Sequence, residues 1–328
     1  MKFLLIIPSL IYSLILRFRH YLYDNEIVAV YHPPIKTICI GNLEFGGTGK
    51  TPHAEYLLNL LIEMGETPAF LSRGYGRKTK GFQWVDSSKN WETSGDEPLQ
   101  VKTNFPGLSV AVCENRKQGI LKIIKEKPET TVIVLDDAFQ HLQVKAGLNI
   151  LLTPADIPFT ENKLVPAGTL RDVPQAANRA DVIIYTKSES SKSTPNFVSG
   201  FDYSDPVSVN GYPPIAKDTA ILAFCGIANP KPFELHLNSI VSRKSTMLNF
   251  KDHHAFSQKD IQTLIATFSN IATENKAIFT TQKDWMRLNK TAEAKALMAF
   301  PLYYIPVKVK FWAKENEFKN IINRYIYS

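Results

Sequence analysis

Gly41-Asn42-Leu43-Glu44-Phe45-Gly46-Gly47-Thr48-Gly49-Lys50-Thr51-Pro52 is the stretch from which the fold can be read. Before it, Thr37-Ile38-Cys39-Ile40 reads as a short strand; after it, Pro52 to Met64 carries a helical pattern. A glycine-rich turn between a strand and a helix is the setting of a phosphate-binding loop. Gly46, Gly47 and Gly49 leave room for backbone N–H groups, with that of Thr48, to turn toward an anion. The new helix points its positive end at the same place. Lys50 then reaches the β- and γ-phosphates, and the Thr51 hydroxyl can ligate Mg²⁺. Pro52 suits the first helical turn, where a missing N–H is harmless. The usual pattern is G-x-x-x-x-G-K-[ST], and its first glycine is replaced here by Glu44.

Working outward, short β-branched runs alternate with helical patterns. Strands are expected at Thr67 to Leu71, Leu108 to Cys113, Thr131 to Leu135, Leu148 to Leu152 and Asp181 to Tyr185, with a helix from Glu114 to about Lys125. Thr131 to Leu135 is nearly all apolar, as a strand buried on both faces should be. The expected fold is α/β: a P-loop NTPase-like parallel sheet covered by helices. Residues from Lys187 to Pro214 are rich in Ser, Pro, Asn and Gly and read as an inter-domain connection. A second, smaller α/β domain should follow. Its expected strands are Ala220 to Phe224, Ala277 to Thr280 and Leu302 to Val309, and its helices Ser257 to Phe268, capped by Ser257, and Lys314 to Tyr327. The expected division is 1–25, 26–205 and 206–328.

The N-terminal segment stands apart. Phe3 to Leu16 is apolar, and Arg17, Arg19, His20, Tyr21 and Tyr23 follow. The run is shorter than the roughly 20 residues that a spanning helix needs. Arg17-Phe18-Arg19 stands where a signal peptide would have its small-residue cleavage site. These features predict an interfacial helix, with Arg17 and Arg19 on the headgroups of the cytoplasmic leaflet. A helix packed on the main domain is the alternative. The 328-residue chain carries a formal net charge of +7, which suits an anionic partner. No nucleic-acid motif accompanies the scattered basic residues. Three widely spaced cysteines, Cys39, Cys113 and Cys225, argue against a zinc site or a disulfide framework.

A P-loop needs a second carboxylate at the end of a buried strand. Asp136-Asp137 occupies that place after Thr131 to Leu135. Two adjacent buried acids are costly without a cation nearby, whereas a turn or helix cap would account for only one of them. Phosphoryl transfer also needs a group that orients or deprotonates the acceptor. Asp96 or Glu97 in Ser94-Gly95-Asp96-Glu97-Pro98 is one candidate, although either could simply cap a helix. Asp252-His253-His254 is the second, and Lys283-Asp284 a weaker one. Arg73, Arg77, Arg116 and Arg171 could hold anionic groups, although each alone could equally be a solvated charge.

Taken together these pieces resemble the tetraacyldisaccharide 4'-kinase family, the lipid A 4'-kinases of Gram-negative bacteria. The resemblance rests on the loop from Gly41 to Pro52, on Ser72-Arg73-Gly74-Tyr75-Gly76 and on Gly95-Asp96-Glu97-Pro98. It rests also on Asp136-Asp137-Ala138-Phe139-Gln140-His141, on the run from Leu164 to Arg171 and on Asp252-His253-His254. It implies transfer of the γ-phosphate of ATP, with Mg²⁺, to the 4'-hydroxyl of a tetraacyldisaccharide 1-phosphate. It implies that Asp96 acts as base with His253 tuning it, His254 remaining possible. It assigns Lys50 and Thr51 to nucleotide and Mg²⁺, with Asp136 on the metal and Asp137 as a catalytic partner. Arg73, Tyr75, Glu97, Arg116 and Arg171 become the expected substrate contacts, and the second domain is expected to carry His253 toward Asp96 on closing. Ala138 departs from the family's usual glycine. The partners implied are the glycolipid and the membrane surface, not nucleic acid, for a monomer at the cytoplasmic face of the inner membrane.

Two other readings compete. A membrane-associated ATPase of the deviant P-loop type would carry a lysine just before the two glycines, where this chain has Phe45. A non-catalytic nucleotide sensor would need no base near the acceptor.

Overall fold

Strands buried on both faces cannot end a layer, so they demand helices above and below. The computed structural model describes residues 5–188 and 196–328. Its strands, in chain order, are β1 (Lys36–Asn42), β2 (Pro68–Ser72), β3 (Gln83–Trp84), β4 (Ser109–Val112), β5 (Val132–Asp136), β6 (Leu148–Pro154) and β7 (Val182–Thr186), then β8 (Phe197–Tyr203), β9 (Val207–Ser208), β10 (Ala220–Cys225), β11 (Thr246–Asn249), β12 (Lys276–Thr281), β13 (Leu302–Ile305) and β14 (Val307–Ala313). The helices are α1 (Ile6–Asp24), α2 (Lys50–Glu63), α3 (Trp91–Ser94), α4 (Asp96–Asn104), α5 (Arg116–Glu126), α6 (Lys231–Ile240), α7 (Gln258–Ser269), α8 (Gln282–Leu288), α9 (Ala292–Leu297) and α10 (Glu315–Tyr327).

Nine strands form the larger sheet, in the order β14-β8-β7-β6-β1-β5-β2-β4-β3. All neighbours pair in parallel except β14 with β8 and β3 with β4, the two edges. Alternation along β1 sorts the core. Ile38 and Ile40 join Leu57, Leu58 and Leu61 of α2 and Ile322 of α10. Cys39 faces the other way, into a cluster with Ile120 and Ile123 of α5 and Leu16 of α1. The smaller sheet has five strands in the order β11-β10-β12-β13-β9. Its helix α7 begins at Ser257 in a capping box with Asp260.

Two expectations are revised. The segment from Lys187 to Pro214 includes β8, which pairs with β7 and β14 inside the large sheet; residues 189–195 of the expected connection lie outside the described residues. The small residues Ser199 and Gly200 make β8 look like a linker, yet Ser199 is fully buried. The single strand expected from Leu302 to Val309 is two, because Pro306 lacks the N–H that a ladder needs. After Pro306 the chain leaves the small sheet, and β14 and α10 return to the large one. The smaller sheet therefore draws on residues 207–305.

The helix after the P-loop is tied to the helix that carries Asp96. The Glu55 carboxylate of α2 accepts hydrogen bonds from Gln100 and Asn104, at 3.0 and 2.9 Å. Burial pushes Glu55 up to about 7 despite these bonds. A carboxyl whose folded pKa is raised favours the fold below its unfolded value and loses that contribution as pH rises through the folded one. Glu55→Gln should therefore gain stability relative to the parent between pH 4 and pH 8, by about 1–2 kcal/mol after allowing for partial solvent access. Urea unfolding at the two pH values measures this, and a difference that does not change with pH would refute it.

Candidate active site

Two clusters of charge meet at the C-terminal edge of the large sheet, where open α/β sheets bind ligands. The first surrounds the P-loop. β1 ends at Asn42 and β5 at Asp136, with Ile40 in register with Asp136. Gly49 holds the left-handed φ of 87° that starts α2, and a Cβ there would meet Phe201 Cζ of β8 at 2.3 Å. His53, one turn on, is buried and locks the loop from below. Its Nδ1–H donates to the Gly49 carbonyl at 2.8 Å, so Nε2 accepts from the Ser199 hydroxyl at 2.9 Å. Burial lowers His53 to about 4, so the ring is neutral near pH 7.

Lys50 Nζ donates to Asn42 Oδ1 at 3.4 Å and lies 3.7 Å from Asp137 Oδ1. Arg171 completes the group: it pairs with both Asp137 oxygens and donates to Asn42 Oδ1 at 2.5 Å. Burial pushes Asp137 up, but Lys50 and Arg171 outweigh it and hold the carboxyl at about 2. The Asp137 backbone is left-handed, at φ 45°. Asp136 is fully buried and behaves oppositely. Burial, with Glu97 and Asp137 nearby, pushes it up to about 7. Its Oδ2 accepts from the Ser72 hydroxyl at 2.9 Å, while buried Oδ1 has no protein partner among the described residues. An orphaned buried carboxylate oxygen at the end of β5, the strand paired with the β1 that leads into the P-loop, fits Mg²⁺, which takes one or two carboxylates together with substrate phosphates. Thr51 and Asp136 are the residues that would hold it.

The second cluster lies across the junction of the sheets. Gly95, at φ 93°, lets the chain turn so tightly that a Cβ would meet the Tyr75 carbonyl at 2.9 Å. The next residue, Asp96, is buried at the start of α4. Its Oδ1 accepts the Glu97 N–H at 2.9 Å, and Oδ2 accepts Arg287 Nε of α8 at 2.7 Å. His253 Nδ1 stands 3.6 Å from the same Oδ2. Burial raises the Asp96 carboxyl, but His253, Lys283 and Arg287 reverse this and hold it well below the usual carboxylate range. Tyr75 is exposed and meets the His253 ring edge-on at 5.4 Å. Lys283 Nζ donates to Glu97 Oε1 at 3.2 Å.

The structure therefore gathers Lys50, Thr51, Asp136, Asp137 and Arg171 in one cluster, and Asp96, Glu97, Tyr75 and His253 in the other. His254 turns away to Asp260, at 2.9 Å. Arg116, expected as a substrate contact, is only 2% exposed. It donates to the carbonyls of Cys113 and Asp136, at 2.6 and 2.8 Å, bracing the end of β5. Arg73 is exposed on the loop after β2. Arg77 pairs instead with Glu114, at 2.6 Å. Asn42, Ser72, His53 and Arg287 escape a reading of the sequence, because each gains its meaning from a partner at least eight residues away. Lys283-Asp284, the weakest candidate there, leads into the helix that supplies Arg287.

Helix α1 adds a support. Ser9 donates to the Leu164 carbonyl at 3.1 Å, Tyr12 to that of Arg171 at 2.9 Å and Arg19 to that of Gln140 at 2.8 Å. His20 stands 3.0 Å from the buried Asp172. Arg19 is thus turned inward, against the expectation that it meets headgroups. Ile7, Leu10, Ile11, Leu14, Ile15 and Phe18 form an exposed stripe on the opposite side.

Fold and cradle define a nucleotide-binding enzyme of the P-loop class. The family profile for tetraacyldisaccharide-1-P 4'-kinase matches residues 1–327. A tetraacyldisaccharide 4'-kinase of Parabacteroides distasonis is 36% identical, the alignment covering 97% of this chain and 93% of that one. One from Flavobacterium psychrophilum is also 36% identical, over 98% and 95%. The crystal structure of the "apo" form LpxK from Aquifex aeolicus in complex with ATP superposes with a TM-score of 0.76 at 29% identity, covering 97% of each chain. The chain belongs to the tetraacyldisaccharide-1-P 4'-kinase family.

Gly49→Ala should lower ATP affinity at least tenfold, since a left-handed backbone costs an L-residue about 1–2 kcal/mol and the methyl strikes Phe201. Adding Phe201→Ala should recover part of the loss. Calorimetric titration with ATP tests both, and unchanged affinity in Gly49→Ala would overturn this account of the loop.

Proposed function

We propose that this chain transfers the γ-phosphate of ATP to the 4'-hydroxyl of a tetraacyldisaccharide 1-phosphate, the reaction named for its relatives, with Asp96 as the acceptor-side base. The observation that carries the reading is a physical link between the two clusters. Ser72 holds Asp136 at the phosphate end. Two residues on, Gly74 packs so closely that a Cβ would strike the Ser94 carbonyl at 2.7 Å, just before Asp96. Donor and acceptor groups are thus set by one short loop, which is the positioning that phosphoryl transfer requires.

Lys50 and the loop amides would neutralise the transferring phosphoryl group. Arg171 and Lys50 keep Asp137 ionised beside it. Bound Mg²⁺ at Thr51 and Asp136 would supply further charge neutralisation to the phosphates. Asp96 would orient the sugar hydroxyl and take its proton, with His253 3.6 Å away to accept or share it. Tyr75 and Arg73, both exposed, would meet the disaccharide. Arg171 acts from within the nucleotide cluster and Arg116 from beneath it.

A four-chain lipid stays in its bilayer, so the enzyme must come to it. Among the described residues no helix is long and apolar enough to cross a membrane. The stripe from Ile7 to Phe18 instead fits a helix lying in the interface, at the cytoplasmic face of the inner membrane. Its polar side would then carry the bilayer surface to the active-site loops.

The direct test is transfer from γ-labelled ATP to the tetraacyl disaccharide 1-phosphate in mixed micelles with Mg²⁺. Wild type should label lipid, and Lys50→Ala and Asp96→Ala should each lower turnover by about 10²–10⁴-fold. ATP hydrolysis without labelled lipid would favour a membrane ATPase. For α1, Ile11→Glu with Leu14→Glu should abolish co-sedimentation with anionic vesicles while ATP affinity persists. Retained sedimentation would remove the helix as the membrane contact.

A further inference from the structure

Arg287 is 3% exposed, and the acids it pairs with, Asp96 and Asp284, are both buried. Its Nε and Nη2 both lie 2.7 Å from Asp96 Oδ2. Nη1 donates to the Gly226 carbonyl and to Asp284 Oδ1, each at 3.0 Å. Asp284 is itself fixed, its Oδ2 accepting the Gly226 N–H at 3.0 Å and the Thr281 hydroxyl at 2.6 Å. The guanidinium thus reaches from the smaller sheet's helix α8 to the carboxylate at the start of α4.

The same guanidinium also reaches His253. Both cations of α8 reach the ring: Arg287 Nη2 lies 3.0 Å from His253 Nδ1, and Lys283 Nζ lies 3.3 Å from Nε2. Arg287 and His253 thus share Asp96 Oδ2, while Oδ1 accepts the Glu97 N–H. The charged and titratable groups facing this point are Lys283, Asp284 and Arg287 from α8, and Asp252 and His253 from the turn before α7. Glu97 faces it from α4, and Tyr75 lies across the His253 ring.

We propose that Arg287 is a positioning residue for phosphoryl transfer: from its place against Asp96 Oδ2 it keeps that carboxylate ionised and fixes where it points. The proposal rests on the reading of Asp96 as the acceptor-side base. Its sign is definite. With Arg287 present, Asp96 stays ionised throughout the working pH range. Without it, burial is opposed by fewer cations, and the carboxyl protonates at higher pH. Asp284 plays the reverse part, since it neutralises the far side of the guanidinium.

The test compares kcat/KM for lipid phosphorylation from pH 5 to pH 8 in wild type, Arg287→Gln, Arg287→Lys and Asp284→Asn, with ATP affinity and thermal melting as checks on folding. The ratio of Arg287→Gln to wild type should fall at least threefold further at pH 5 than at pH 8. Arg287→Lys should restore the flat ratio in part, and Asp284→Asn should show no acid loss. Equal, pH-independent losses in Arg287→Gln and Asp284→Asn would overturn the proposal and leave Arg287 a structural clasp. If Arg287→Gln fails to fold, a flat ratio in Asp284→Asn together with a mild acid loss in Arg287→Lys still supports it, and no acid loss in Arg287→Lys refutes it. Asp96→Asn at full activity would instead remove the base reading beneath it.

Discussion

A pair of adjacent carboxylates at the end of a buried strand is the constraint around which this protein is built. Asp136 and Asp137 cannot both be ionised there without compensation. The chain answers them separately. Asp137 receives Lys50 from the P-loop helix and Arg171 from the loop after β6. Asp136 receives one hydroxyl, from Ser72, and keeps an oxygen free of protein partners among the described residues. Arg116 braces the backbone of the same turn. Four segments converge because two acids must be satisfied, and the phosphate cradle forms where they converge.

The cluster around Asp96 follows a different logic. Its carboxylate comes from the large sheet's side, and its cations come from the smaller sheet. Asp96 is thus in place only when α8 packs on α4. Removing either partner would leave a buried charge, which is far more costly than the pair itself is favourable. That cost couples the two parts of the chain at this cluster. Glu97 and Lys283 repeat the contact closer to solvent.

Helix α1 inverts the usual amphipathic arrangement. Ser9, Tyr12, Arg19 and His20 face the protein, and the apolar stripe faces outward. Its inner side grips the carbonyls of Leu164, Arg171 and Gln140. The same loops place Arg171 on Asp137. A surface that meets lipid would therefore be joined to the nucleotide cluster through backbone hydrogen bonds rather than through a flexible tether.

Much of this was legible in the residues alone. The P-loop, the β-branched runs and the position of Asp136-Asp137 follow from local rules: glycine's freedom, strand periodicity and the strand–turn–helix order. Ser257 as a cap is likewise local, and the structure places it in a full capping box. Strand β8 was hidden because Ser199 and Gly200 look like linker residues until a neighbouring strand buries them. The departure of β14 from the smaller sheet turns on Pro306, visible in the sequence but silent about which sheet the chain joins next. Arg116 and Arg171 looked alike as surface charges, yet one braces a backbone turn and the other neutralises Asp137. Arg287 carried no local signal at all. Its role depends on Asp96, Gly226 and His253, which lie far from it in the chain. Propensity and motif act over a few residues, so the sequence by itself determined the cradle and the strands. Long-range charge pairing acts only between surfaces already brought together, so the tertiary structure alone decided which ions face each other.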